Sequence, residues 1–155
     1  MRGQVSVLLT TDTAIRKLNR QFSGKNKATD VLSFPALDMY AVSRSRPGAA
    51  ENRLAGDLAI SVDMARKQAE AFGHPFGTEV KVLMLHGLLH LAGYDHETDD
   101  GEMAKRERAL RAKLGLPLGL IERAENSGAS GVGGVSGARK KASRRVGMSA
   151  WRRKP

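Results

Sequence analysis

Three of the four histidines fall in one short stretch, His86-Gly-Leu-Leu-His90-Leu-Ala-Gly93-Tyr-Asp-His96. Histidines four apart on a helix project from one face a turn apart, so His86 and His90 can aim their imidazoles at a common centre. Gly93 accepts the left-handed conformation that ends a helix, and the reversed chain returns His96 toward the same point. Three neutral imidazoles suit one zinc ion per chain and leave its fourth tetrahedral position open, the arrangement of a catalytic site. A helical His pair alone is weak evidence, because packed and surface histidines are common; the third His behind a glycine makes the pattern specific. The spacing matches the zincin sequence H-x-x-x-H-x-x-G-x-x-H, with one departure. Where a metalloprotease carries its general-base Glu, directly after the first His, this chain has Gly87, so peptide hydrolysis by that route lacks its proton acceptor.

The elements that must position this stretch follow from periodicity. Thr78 to Ala92 reads as a helix that is apolar nearly all round, which belongs in the middle of a domain and gives the first two ligands a rigid base. Ahead of it, Val5 to Thr10 reads as a strand, and a helix capped by Thr11 or Asp12 runs to about Gln21 with Ile15, Leu18 and Phe22 inward. Thr29 to Phe34 is a strand stopped by Pro35. Residues 36 to 54 read as a long surface loop of the kind that borders functional sites. Leu54 to Val62 is a strand and Asp63 to Phe72 a helix, broken by Gly73-His74-Pro75, where His74 reads as a loop residue. Glu97-Thr-Asp-Asp100 is an acidic turn before a helix from about Gly101 to Leu114. The fold expected is α+β: a small mixed β-sheet with a central buried helix carrying the HxxxH pair, surrounded by further helices.

Composition sets outer bounds. The 155 residues suit one modest domain, and the absence of cysteine restricts a metal to N and O ligands. No apolar run resembles a signal peptide or a membrane span, so a soluble cytoplasmic protein with no membrane association is expected. The net charge of +10 is uneven: residues 126–155 hold eight Lys or Arg and no acid, whereas residues 1–125 are nearly balanced. A domain over 1–124 is expected, followed by a disordered Gly/Ser-rich basic tail over 125–155. Its Lys and Arg clusters and Trp151 suit either RNA contact or a solvated extension.

Three blocks together resemble the YbeY family of bacterial rRNA maturation factors, single-strand-specific metallo-endoribonucleases: Leu18-Asn19 through Thr29-Asp-Val-Leu-Ser-Phe-Pro35, Gly56-Asp57-Leu58, and His86 through His96. The resemblance covers roughly residues 4 to 115. It implies zinc held by His86, His90 and His96, with rRNA and the small ribosomal subunit as partners and no DNA. It further implies roles in maturation of the 16S rRNA 3′ end and in ribosome quality control. Members usually begin with a further strand and helix, so the amino terminus is expected to be short relative to the family. The family pattern also places Arg where Ser23 stands; Arg20, Lys25 and Lys27 are the nearby cations that could meet RNA. Zinc lowers the pKa of a bound water to about 7 and polarises phosphoryl oxygens, both of which serve phosphodiester hydrolysis. With Gly87 in the zincin Glu position, Asp57, Asp95 and Glu97 are the candidates for proton transfer or for orienting a His ligand. A zinc-containing assembly factor without catalysis is the alternative, favoured by Ser23, and a metalloprotease is disfavoured by Gly87.

Overall fold

The computed structural model describes residues 3–36 and 54–129. In chain order these form β1 (Gln4–Thr10), α1 (Asp12–Ser23), β2 (Val31–Pro35), β3 (Leu54–Ser61), α2 (Val62–Phe72), α3 (Phe76–Leu91), α4 (Glu102–Leu114) and α5 (Leu120–Ala129). The strands make one sheet of order β1-β3-β2, with β1 parallel and β2 antiparallel to β3. The architecture is therefore the α+β fold expected, with a small mixed sheet.

β3 is the central strand, and its alternation assigns the two faces. Ile60 clusters with Leu83 of α3 and Ala65 of α2, and Leu58 reaches Gly87 of α3, so the even-numbered residues face α3. By the two-residue period of a strand, Asp57 and Ala59 point to the opposite face. α1 packs against β3 and α2, with Ile15 fully buried. Thr11 caps α1 by accepting from the Ala14 amide at 3.3 Å, and Ser61 caps α2 by accepting from the Met64 amide at 3.1 Å, which ends the strand one residue before the sequence pattern suggests. Phe22 is more exposed than its helical spacing predicts and meets Phe34 edge to face, ring centroids 5.1 Å apart.

α3 is the central helix, packed against β2, β3, α2, α4 and α5. It starts at Phe76, directly after Pro75, rather than at Thr78. Val82, Leu83, Leu85 and Leu89 are buried on it, each such side chain worth about 1.5–3 kcal/mol of transfer free energy. The sequence pattern does not reveal α5, which continues through residue 125, where a change of composition suggests a boundary. Ionic contacts hold this helix in place. Arg123 donates to both Glu79 carboxylate oxygens, at 2.7 and 3.0 Å, and lies 4.1 Å over the Phe72 ring. Arg108 donates to Glu122 at 2.7 Å, and Arg111 pairs with the same carboxylate. His74 does lie in the break between helices, but its Nε2 sits 3.0 Å from the fully buried Glu79 carboxylate. Most of the expected 36–54 loop, and the basic tail from residue 130, lie outside the described residues.

Candidate metal centre and cleft

The His stretch folds as its spacing dictates. His86 and His90 sit one turn apart on the last two turns of α3, with ring centroids 4.8 Å apart. Gly93 follows with φ of +95°, a value that favours glycine, and its amide closes on the His90 carbonyl at 3.0 Å. The turn delivers His96, whose ring lies 5.3 Å from that of His86 and 5.4 Å from that of His90. One potential ligand atom from each of the three lies within 4.8 Å of the others.

The remaining ring nitrogens show how the pair is oriented. His86 Nδ1 lies 3.1 Å from Glu107 Oε1, and His90 Nδ1 lies 3.1 Å from the Tyr94 carbonyl oxygen. Both acceptors call for a proton on Nδ1, which leaves each Nε2 with a lone pair. Those two Nε2 atoms face each other at 3.2 Å. Two lone pairs so placed could share a metal ion. Zinc–nitrogen bonds of 2.0–2.1 Å at a tetrahedral angle put ligand nitrogens about 3.3 Å apart, so the pair already has the required separation. Burial, reinforced by the His86 and His96 rings, lowers the His90 pKa from 6.5 to about 4, against the opposing effects of Asp95 and the Tyr94 carbonyl. His90 is therefore neutral near pH 7, the form in which imidazole binds a metal.

Gly87 is fixed by packing. A Cβ there would lie 2.7 Å from Leu58 Cδ2 and 3.2 Å from both Ser33 Oγ and Val31 Cγ2. Ser33 Oγ also donates to the Gly87 carbonyl at 3.1 Å. The sheet presses on α3 at the one position where a zincin places its Glu. A side chain at position 87 would press on Leu58, Ser33 and Val31 of the sheet.

The three histidines open on a cleft of about 1030 Å³ whose walls come from the α1–β2 connection, β2, α2, the 95–97 turn and α5. Lys25 and Lys27 line it, as does Ser23, whereas Arg20 lies outside it and exposed on α1. Asp95 and Glu97 line it too. Asp95 accepts from the Glu97 amide at 3.1 Å and from Thr98 Oγ1 at 3.0 Å, so its carboxylate braces the turn that carries His96. Asp57 is exposed on the far face of the sheet and does not line this cleft, so the fold separates it from the histidines. Glu107 and Arg123 are the residues that sequence reasoning misses: Glu107 contacts His86, and Arg123 lines the cleft. For Glu107 the one available signal is a charged residue on the same helical stripe as Met103 and Leu110.

Known proteins are similar in sequence to this chain. The sequence model of the Endoribonuclease YbeY family matches residues 1–115. Endoribonuclease YbeY of Solibacter usitatus is 52% identical over 119 residues, covering 77% of this chain and 71% of the relative. That of Koribacter versatilis is 50% identical over 123 residues, covering 79% and 72%. That of Nautilia profundicola is 49% identical over 122 residues, covering 79% and 80%.

Proposed function

The chain belongs to the YbeY endoribonuclease family, and from that premise we propose that it is a zinc-dependent endoribonuclease cutting single-stranded rRNA in the cytoplasm, with the 16S 3′ end as substrate. The observation that carries the metal reading is the facing pair of His86 and His90 Nε2 atoms at 3.2 Å, with both Nδ1 groups directed to acceptors elsewhere. His86, His90 and His96 are the ligands in this reading. Zinc held by them supplies a Lewis acid beside the phosphodiester and an acidified water.

The chain's own residues do the rest. An unpaired strand occupies the cleft in this reading, and Lys25 and Lys27 on its wall attract the phosphates. In this reading Glu97, which lines the cleft and follows His96 in sequence, takes or returns the proton. Asp95 orients the His96 turn through its hydrogen bonds to Glu97 and Thr98. Among the described residues no helix is long and apolar enough to cross a membrane.

One observation favours a second reading, a zinc-holding assembly factor that binds rRNA and the small ribosomal subunit without cutting. Ser23 lines the cleft where the family pattern has Arg, so the wall lacks a guanidinium there. A single experiment separates the two. Metal-free protein is reloaded with one equivalent of zinc and incubated with labelled single-stranded and duplex rRNA fragments. Cleavage of the single strand only, lost on chelation and in Glu97→Gln at unchanged RNA affinity, is the expected result. Zinc-loaded protein that binds the strand and leaves it intact overturns the nuclease reading in favour of assembly.

A further inference from the structure

We propose that Glu107 is a positioning residue for the metal centre: its buried carboxylate accepts a hydrogen bond from the His86 Nδ1–H and so holds His86 in the tautomer whose Nε2 lone pair faces the other two histidines. The inference rests on the reading of His86, His90 and His96 as metal ligands. It adds a residue from a different helix, 21 positions further along the chain, on which their competence depends.

Glu107 is 1% exposed and the His86 side chain 7%, with Oε1 3.1 Å from Nδ1. A carboxylate removed from water in this way costs several kcal/mol unless a donor meets it, and a neutral imidazole N–H is such a donor. The surroundings show that the burial is built in. The chain after α4 folds back over the carboxylate, and Arg111 Nη1 holds that return by donating to the Pro117 carbonyl at 2.6 Å. Gly119 passes so close that a Cβ on it would lie 2.3 Å from Glu107 Oε2 and 3.1 Å from Arg111 Nε. Only a residue without a side chain lets the segment seal this contact. α4 packs against α3 here with a carboxylate, where Met103 one turn earlier packs with apolar surface. An apolar residue at position 107 would fill the site but would leave the His86 ring free to turn and to exchange tautomers.

A carboxylate on the far nitrogen of a ligating imidazole fixes ring orientation and raises ligand basicity, and its loss typically weakens metal affinity 10- to 100-fold. His90 obtains the equivalent service from a backbone carbonyl, Tyr94, which no side-chain substitution removes. The two ligands on α3 are therefore held by acceptors of different charge, and only that of His86 is open to mutation.

The test uses the full chain with Glu107→Ala and Glu107→Gln. Zinc affinity is measured by competition with a chromophoric chelator, and the His86 tautomer in metal-free protein is read by long-range 1H–15N NMR. Urea unfolding without metal checks the fold. The expected result is zinc binding weakened 10- to 100-fold in Glu107→Ala and by less in Glu107→Gln, whose amide oxygen still accepts from Nδ1. The His86 signal should change from the pure Nδ1–H form to a mixture in the Ala variant. Should Glu107→Ala not fold, the isosteric Gln variant and the wild-type tautomer carry the test. Wild-type zinc affinity in both variants, or a wild-type His86 protonated on Nε2, overturns the inference. Failure of the metal reading gives a different outcome: wild-type protein takes up no zinc, while the tautomer measurement still decides whether Glu107 holds the ring.

Discussion

The same substitution at two glycines of α3 should have opposite signs. Gly77 lies in the first turn with nothing within 4 Å of an added Cβ, whereas at Gly87 that Cβ would meet Leu58 Cδ2 at 2.7 Å and Ser33 Oγ and Val31 Cγ2 at 3.2 Å. In a helix interior, Gly to Ala gains up to about 1 kcal/mol from backbone entropy, and rather less in a first turn, so Gly77→Ala should stabilise by roughly 0.5 kcal/mol. At position 87 the same gain is opposed by overpacking, which costs about 1–3 kcal/mol, because carbon atoms are at ease only near 3.5–4.0 Å. Movement of Ser33 away from the Gly87 carbonyl adds about 1 kcal/mol more. The net effect of Gly87→Ala is a destabilisation of about 1–3 kcal/mol, or a fall of roughly 2–12 °C in Tm for a chain of this size. Urea and thermal unfolding of both variants, run with chelator so that metal does not enter, provide the measurement. Gly87→Ala as stable as Gly77→Ala or more so would refute the claim that the sheet dictates this glycine. Gly87→Glu, which restores the zincin sequence, should lose more than about 3 kcal/mol by placing a carboxylate among Leu58 and Val31, and should not cut casein.

Three further outcomes follow from the same contacts. Arg123→Met leaves the Glu79 carboxylate buried with only His74 beside it and should cost about 3 kcal/mol; adding Glu79→Gln should recover part of that loss in urea unfolding, and full additivity would contradict the pairing. His90 titrates at about 4 in the fold against 6.5 unfolded, so the unfolded state takes up its proton first as pH falls. Metal-free stability should therefore be intact above pH 6.5 and decline toward pH 4, by about 1–2 kcal/mol after allowance for partial exposure, and His90→Gln should remove that slope. Lys25→Ala and Lys27→Ala should each weaken RNA binding at all sequences and reduce the log–log salt slope by about 0.7–1, while Arg20→Ala, outside the cleft, should leave it unchanged; a larger effect at Arg20 would relocate the RNA path.

What is legible in the sequence is local. The His86–His90 pairing follows from four-residue spacing on one helix, and Gly93 signals the reversal that returns His96, so spacing alone implies the centre. The strands and the apolar α3 are equally readable from period. What is not legible depends on partners distant in sequence. Asp57 shares a block with the family pattern, but the face it occupies is decided by which side of β3 meets α3. Glu107 looks like an ordinary charge in a polar helix until α4 is laid against His86. Only the second half of α5 has the composition of a linker; its anchors are Leu120, packed on the Ile60–Ala65–Leu83 cluster, and two single charges, Glu122 and Arg123, whose partners lie on α4 and α3. Arg20 and Lys25 are close in sequence, yet α1 turns the first away from the cleft and ends in time to turn the second into it.

The central claim is that His86, His90 and His96 together hold one zinc ion, and zinc-edge X-ray absorption on the chain loaded with one equivalent tests it most directly. Three nitrogen neighbours and one further light atom are predicted at about 2.0–2.1 Å in tetrahedral array, with imidazole scattering that is lost in His90→Ala. A six-coordinate hydrated spectrum, or one unchanged in His90→Ala, would contradict it.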